Sequence, residues 1–160
     1  MSKILVIEDE AAIRRVLIKI ISEESDTYLV EEAEDGLQGI EKIKDNEYDL
    51  VLCDIKMPKM DGVEVLEKAK KIKPEIPFVM ISGHGDLDTA VNTMRLGAFD
   101  YISKPIEHKD KLVFPLSHAV EKYRLVQNNK EMQRAIIRMA EEHQMILADL
   151  FSDVEMGEQV

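Results

Sequence analysis

The chain has 160 residues, 45% of them hydrophobic, with a single cysteine and a formal charge of −11. That length fits one ordinary domain of about 100 to 150 residues plus an extension, with apolar material enough for a full core. The acid excess argues against broad attraction to nucleic acid or an anionic membrane, and lone Cys53 excludes an internal disulfide framework, so basic partners or a local apolar contact face are expected in a reducing, cytoplasmic setting.

The N-terminal "MSKILVIEDE" reaches acids after a short apolar stretch, so neither a signal peptide nor a membrane span is expected there. Its "KILVI" (3–7) reads as a first strand, and Ile13, Val16, Leu17, Ile20 and Ile21 follow at helical spacing. "YLVEEA" (28–33) reads as a second strand, with Leu37, Ile40 and Ile43 marking the next helix. "DLVLC" (49–53) is a third, followed by the helical set Val65, Leu66, Ala69 and Ile72. "PFVMI" (77–81) is a fourth, followed by Leu87, Ala90, Val91 and Met94, and "FDYIS" (99–103) is a fifth. Strands alternating this regularly with helices call for a parallel sheet covered on both faces, because crossovers are right-handed. A doubly wound α/β domain is therefore expected over about residues 3–123.

In such sheets ligands bind beyond the carboxyl ends of the strands, near the point where strand order reverses. Those ends carry Glu8 and Asp9, then Asp54, then Ser82 and Gly83, then Lys104 and Pro105. Singly, each has an ordinary explanation: Asp9 suits a helix N-cap, Ser82 in "SGHGD" suits a turn, and a lone lysine is usually solvated. As a set they do not. Two carboxylates about 4 Å apart repel by roughly 4 kcal/mol at an effective dielectric near 20, so three at one sheet edge need a cation. Magnesium fits, being a hard ion satisfied by one or two carboxylates, waters and a substrate phosphate. Asp54 would then be a phosphoryl-accepting nucleophile, with the ion, Lys104 and Ser82 neutralising the equatorial oxygens.

The segments "VIEDE", "LVLCDIKMPKMDG", "PFVMISGHGD" and "GAFDYISKPIE", in this order, resemble the receiver domain of bacterial two-component response regulators over about residues 3–123. The resemblance implies a five-stranded parallel sheet of order 2-1-3-4-5 and phosphorylation of Asp54 by a sensor histidine kinase or phosphotransfer protein. It implies Mg²⁺ held by Glu8, Asp9, Asp54 and the main-chain carbonyl of Met57. Ser82 and Lys104 would contact the phosphoryl group, and Tyr101 would be the aromatic switch. Activity would be limited to the chain's own phosphorylation and dephosphorylation. The stretch "SGHGDLDTAVNTMRLGAFDYISKP" is similar to the branch found in transcription activators with a central ATPase domain. No GxxxxGK[ST] and no helix-turn-helix follows, so the expectation is a stand-alone receiver with a helical tail or a fragment of a longer regulator, without nucleic-acid contacts of its own.

From Leu125 a heptad runs through Asn129, Met132, Ile136, Met139, His143, Ile146 and Leu150. A coiled-coil or docking helix is expected over 124–151, with homodimerisation through it, and a frayed polar terminus over 152–160. In a parallel dimer Asn129 and His143 would occupy a positions. Pro115 lies inside the expected fifth helix and predicts two helical pieces or a bent helix. Other classes fit less well. A haloacid-dehalogenase-type phosphatase wants an acid where Lys56 stands, and a flavodoxin-like FMN protein wants a glycine-rich phosphate loop where "IEDEAA" stands. A helical adaptor with a little-used phosphorylation site is the remaining alternative.

Overall fold

The computed structural model describes residues 1–83 and 87–158, so His84, Gly85 and Asp86 of the expected "SGHGD" turn lie outside the described residues. The elements are β1 (Ser2–Ile7), α1 (Ala11–Glu24), β2 (Tyr28–Ala33), α2 (Gly36–Asp45), β3 (Leu50–Asp54), α3 (Gly62–Ile72), β4 (Phe78–Ser82), α4 (Leu87–Arg95), β5 (Asp100–Ser103) and α5 (Asp110–Glu158). The five strands form one parallel sheet of order β2-β1-β3-β4-β5. The order turns back between β1 and β3, and the carboxyl ends of those two strands hold Glu8, Asp9 and Asp54.

Alternation of side chains along each strand divides the core in two. Leu5, Ile7, Val51, Cys53, Phe78 and Met80 face one side, where Ile40 and Ile43 of α2 and Val65, Leu66 and Ala69 of α3 cover them. Ile4, Val6, Leu50, Leu52, Val79 and Ile81 face the other, under Leu17 and Ile21 of α1 and Leu112, Leu116 and Ala119 of α5. Both faces of β3 and β4 are closed, so these strands are apolar throughout until each ends in a polar residue, Asp54 or Ser82.

Asp9 does not cap α1: Glu10 occupies the N-cap position and makes no side-chain capping bond. Of the apolar set on α4, Leu87, Val91 and Met94 are exposed and Ala90 is half-buried, while Thr93 is buried. Of the two outcomes expected at Pro115, division into two pieces does not occur: α5 is one helix. About one turn precedes that proline, so its ring sacrifices a single helical bond, the one a peptide N–H would make to the Lys111 carbonyl.

The chain forms two compact units, Met1–Tyr123 and Arg124–Val160. In the second, helix extends to Glu158, taking in residues 152–158 of the expected polar terminus; residues 159 and 160 lie outside the described residues. Its heptad side chains Leu125, Met132, Ile136, Met139, Ile146 and Leu150 are all exposed. No helix among the described residues is long and apolar enough to cross a membrane.

Candidate functional site

Asp54 is the last residue of β3 and is 4% exposed. The loop that follows doubles back on it. Gly62 at the start of α3 donates its N–H to the Ile55 carbonyl at 2.7 Å, and a Cβ there would stand 2.2 Å from the Asp54 carbonyl oxygen. Only glycine allows that approach. Asp61 caps α3 by accepting the Glu64 N–H at 2.9 Å, and Lys59 takes a positive φ of 69° to close the loop. Pro58 and Gly62 thus belong to a tight return that holds Asp54 at the sheet edge.

Glu8 follows β1 and is fully buried, and its carboxylate, with those of Asp9 and Asp54, offers three oxygens within 4.8 Å of one another. Lys104, just after β5, sends its ammonium between two of them: Nζ is 3.2 Å from Glu8 Oε2 and 3.4 Å from Asp54 Oδ1. The Lys104 backbone is fixed by its N–H bond to the Ser82 carbonyl at 2.8 Å, and the Lys104–Pro105 peptide is cis.

The electrostatics follow from crowding. Burial, then the Asp54 charge, push the Glu8 carboxyl up to about 7, against the opposing pull of Lys104 and the Glu10 N–H. Burial also raises Asp54, with Lys104 the chief opposing influence. Burial favours the neutral Lys104 amine, but Asp54 and Glu8 outweigh it and hold the ammonium charged above its ordinary range. One ammonium does not return both carboxyls to normal. Three crowded oxygen donors fit a hard divalent cation, and the raised Glu8 is what such a site shows when protons are the only other counter-charge.

The remaining predicted residues are distributed as follows. Ser82 ends β4, is 1% exposed, and lies one residue past Ile81, the register partner of Asp54. Tyr101 is half-buried on β5, opposite Met80, and rests against the core on the α2–α3 side of the sheet. Met57 lies in the return loop with its side chain buried.

Arg14 was not a sequence candidate. It is buried on α1, donates from Nη1 to the Glu8 carbonyl at 2.8 Å, and has Nε 3.6 Å from Glu32 Oε1. It pins the main chain beneath the acids. Its only sequence signal is position on the core side of α1 beside Leu17 and Ile21.

The family model described as "Response regulator receiver domain" matches residues 4–114. The transcriptional regulatory protein ZraR of Klebsiella oxytoca is 44% identical over 98 residues, 61% of this chain and 22% of that protein. The putative NtrX-like response regulator of Rickettsia bellii is 35% identical over 140 residues, 86% of this chain and 29% of that protein. The chain thus spans less than a third of the length of these curated relatives. Among solved structures, the CheY-like receiver domain protein of Methanospirillum hungatei superposes with a TM-score of 0.72 at 32% identity, covering 78% of this chain and 97% of that one. NtrX of Brucella abortus superposes with a TM-score of 0.74 at 36% identity, covering 82% of this chain and 30% of that one. With the sheet order, the carboxylate cluster at its turning point and the family match all falling within the same residues, the chain belongs to the response regulator receiver domain family.

Proposed function

We propose that the protein is a phosphorylation-dependent signalling switch whose Asp54 accepts a phosphoryl group from a sensor histidine kinase or phosphotransfer protein. An Asp54 carboxylate oxygen forms the new P–O bond as the P–N bond of a phosphohistidine breaks, and the departing imidazole keeps the electron pair and takes up a proton. The observation that carries this reading is the Lys104 ammonium lodged 3.4 Å from Asp54 and 3.2 Å from Glu8, beside a third carboxylate. Glu8, Asp9 and Asp54, with the Met57 carbonyl, are the residues that would hold Mg²⁺, which when bound supplies charge neutralisation for the incoming phosphoryl oxygens. Lys104 orients the group from the other side, and the Ser82 hydroxyl donates to one of its oxygens.

The added charge is the signal. Ser82 moves towards the phosphoryl group and Tyr101 turns into the space it leaves. The surface thereby changed comprises α4, β5 and the start of α5. Leu87, Val91 and Met94 already present apolar side chains there. The exposed heptad from Leu125 supports a homodimer through the second unit. Likeness to transcriptional regulatory proteins supports an output in transcriptional control, through a partner or a longer chain rather than nucleic-acid contacts by these residues. A cytoplasmic location is consistent with the kinase as donor.

Incubation with acetyl phosphate, with Mg²⁺ or EDTA, tests this by intact mass. One acid-labile phosphoryl group should appear on the wild type with Mg²⁺ and none on Asp54→Ala. Equal labelling of both would refute the assignment, and absence of labelling on the wild type would favour the helical adaptor.

A further inference from the structure

The helix of the second unit is divided by charge as well as by hydropathy. Residues 124–138 carry Arg124, Lys130, Arg134 and Arg138 against a single acid, Glu131. Residues 139–154 carry Glu141, Glu142, Asp149 and Asp153 and no lysine or arginine. The two halves are therefore net +3 and −4. Along one face run six exposed apolar side chains, Leu125 to Leu150, each 56% to 68% exposed.

We propose that this face is covered by the same helix of a second copy running antiparallel. The inference rests on the homodimer reading above and fixes its orientation. The heptad itself supplies the register. In an antiparallel pair a positions meet d positions, and here every layer closes on one two-fold axis. Leu125 meets Leu150 of the second copy, Asn129 meets Ile146, Met132 meets His143, and Ile136 meets Met139. That axis falls between residues 137 and 138, within one residue of the boundary between the basic and the acidic half. The pairing that completes the apolar layers also sets each basic half beside the other copy's acidic half.

A parallel pair does the reverse, placing net +3 beside +3 and −4 beside −4. Opposite potentials across an interface select partner and register, and like potentials oppose them. Many of these charges lie off the immediate seam, so each interaction is weakened over a screening length of about 8 Å at physiological salt. The discrimination comes from their number. Asn129 is the one residue that would prefer the parallel arrangement, where an Asn pair fixes register. In the antiparallel pair it falls in the second layer from the end, near water.

Crosslinking of the full chain decides the orientation. Leu125→Cys and Leu150→Cys variants are treated with a short bis-maleimide, separately and as an equimolar mixture; native Cys53 is buried and does not compete. In the antiparallel pair, like positions are about 37 Å apart, from 25 residues at about 1.5 Å each, so each variant alone should link poorly. The mixture should link at least about tenfold more, because only there are the thiols held within reach. Asn128→Cys with Asp149→Cys, exposed polar positions flanking the seam, should repeat the result without altering an apolar layer. Efficient linking of each variant with itself, in a chain that sediments as a dimer, overturns the orientation and leaves the homodimer reading standing. Sedimentation as a monomer at all concentrations overturns both.

Discussion

Glu8 and Lys104 stand 96 positions apart in the chain, yet the Lys104 ammonium lies 3.2 Å from the buried Glu8 carboxylate. The same ammonium is 3.4 Å from Asp54, so one side chain from the end of β5 is counter-ion to two acids from the ends of β1 and β3. Removing it leaves both buried acids without their ammonium. Lys104→Met should destabilise the protein at pH 8 without Mg²⁺ by about 1–3 kcal/mol. Most of this should return at pH 5, where the acids bind protons. Urea denaturation at the two pH values measures it, and phosphorylation by acetyl phosphate should slow on the order of 100-fold.

The raised carboxyls give the wild type its own pH dependence. Glu8 titrates at about 7 in the folded chain against 4.5 unfolded, and Asp54 moves in the same direction. Between those values the folded state holds the proton more tightly than the unfolded state. Stability should be full below about pH 4.5 and fall as pH rises through 7, by of order 1 to 3 kcal/mol without Mg²⁺. Protons and the divalent cation compete for the same oxygens, so apparent Mg²⁺ affinity should rise over the same interval. Denaturation in EDTA and calorimetric Mg²⁺ titration check the two halves; Glu8→Gln should flatten the first, and an unchanged slope would contradict the attribution.

The close approach at Gly62 makes a steric prediction. A methyl placed 2.2 Å from the Asp54 carbonyl oxygen has no flexible neighbour to displace. Gly62→Ala should cost about 1–3 kcal/mol and slow phosphorylation, because either α3 or Asp54 must move. Calorimetric melting together with the acetyl phosphate rate reports both effects.

These residues also show how far the sequence could be read. Asp54, Ser82 and Lys104 stood out because runs filling a doubly covered sheet are apolar, and a polar residue at such a run's end contrasts sharply with it. The same logic placed the strands to within a residue, although Asp54 and Ser82 prove to be inside β3 and β4 rather than after them. Periodicity identified a face on α4 but not what lies over it, and Leu87, Val91 and Met94 meet solvent. Arg14 was missed because a helical arginine normally extends into water, whereas this one turns under to the Glu8 carbonyl. The elevation of Glu8 was illegible for a related reason: it depends on distances among side chains brought in by three separate strands.

A substitution at Tyr101 should separate phosphorylation from its consequence. Tyr101→Ala should accept a phosphoryl group at near the wild-type rate, since the residue packs against the core on the α2–α3 side of the sheet. It should lose the response. Hydrogen exchange across α4 and β5, compared with and without beryllofluoride and Mg²⁺, should differ in the wild type and coincide in the variant.

Asp54, held by its neighbours at the rim of the sheet, is the residue proposed to carry the phosphoryl group. Borohydride reduction of the protein after treatment with acetyl phosphate and Mg²⁺, followed by peptide sequencing in a mass spectrometer, locates an acyl phosphate by converting the modified aspartate to homoserine. Homoserine at position 54, absent when EDTA replaces Mg²⁺, is the expected result. Homoserine at position 9 or elsewhere, with Asp54 intact, would contradict the account.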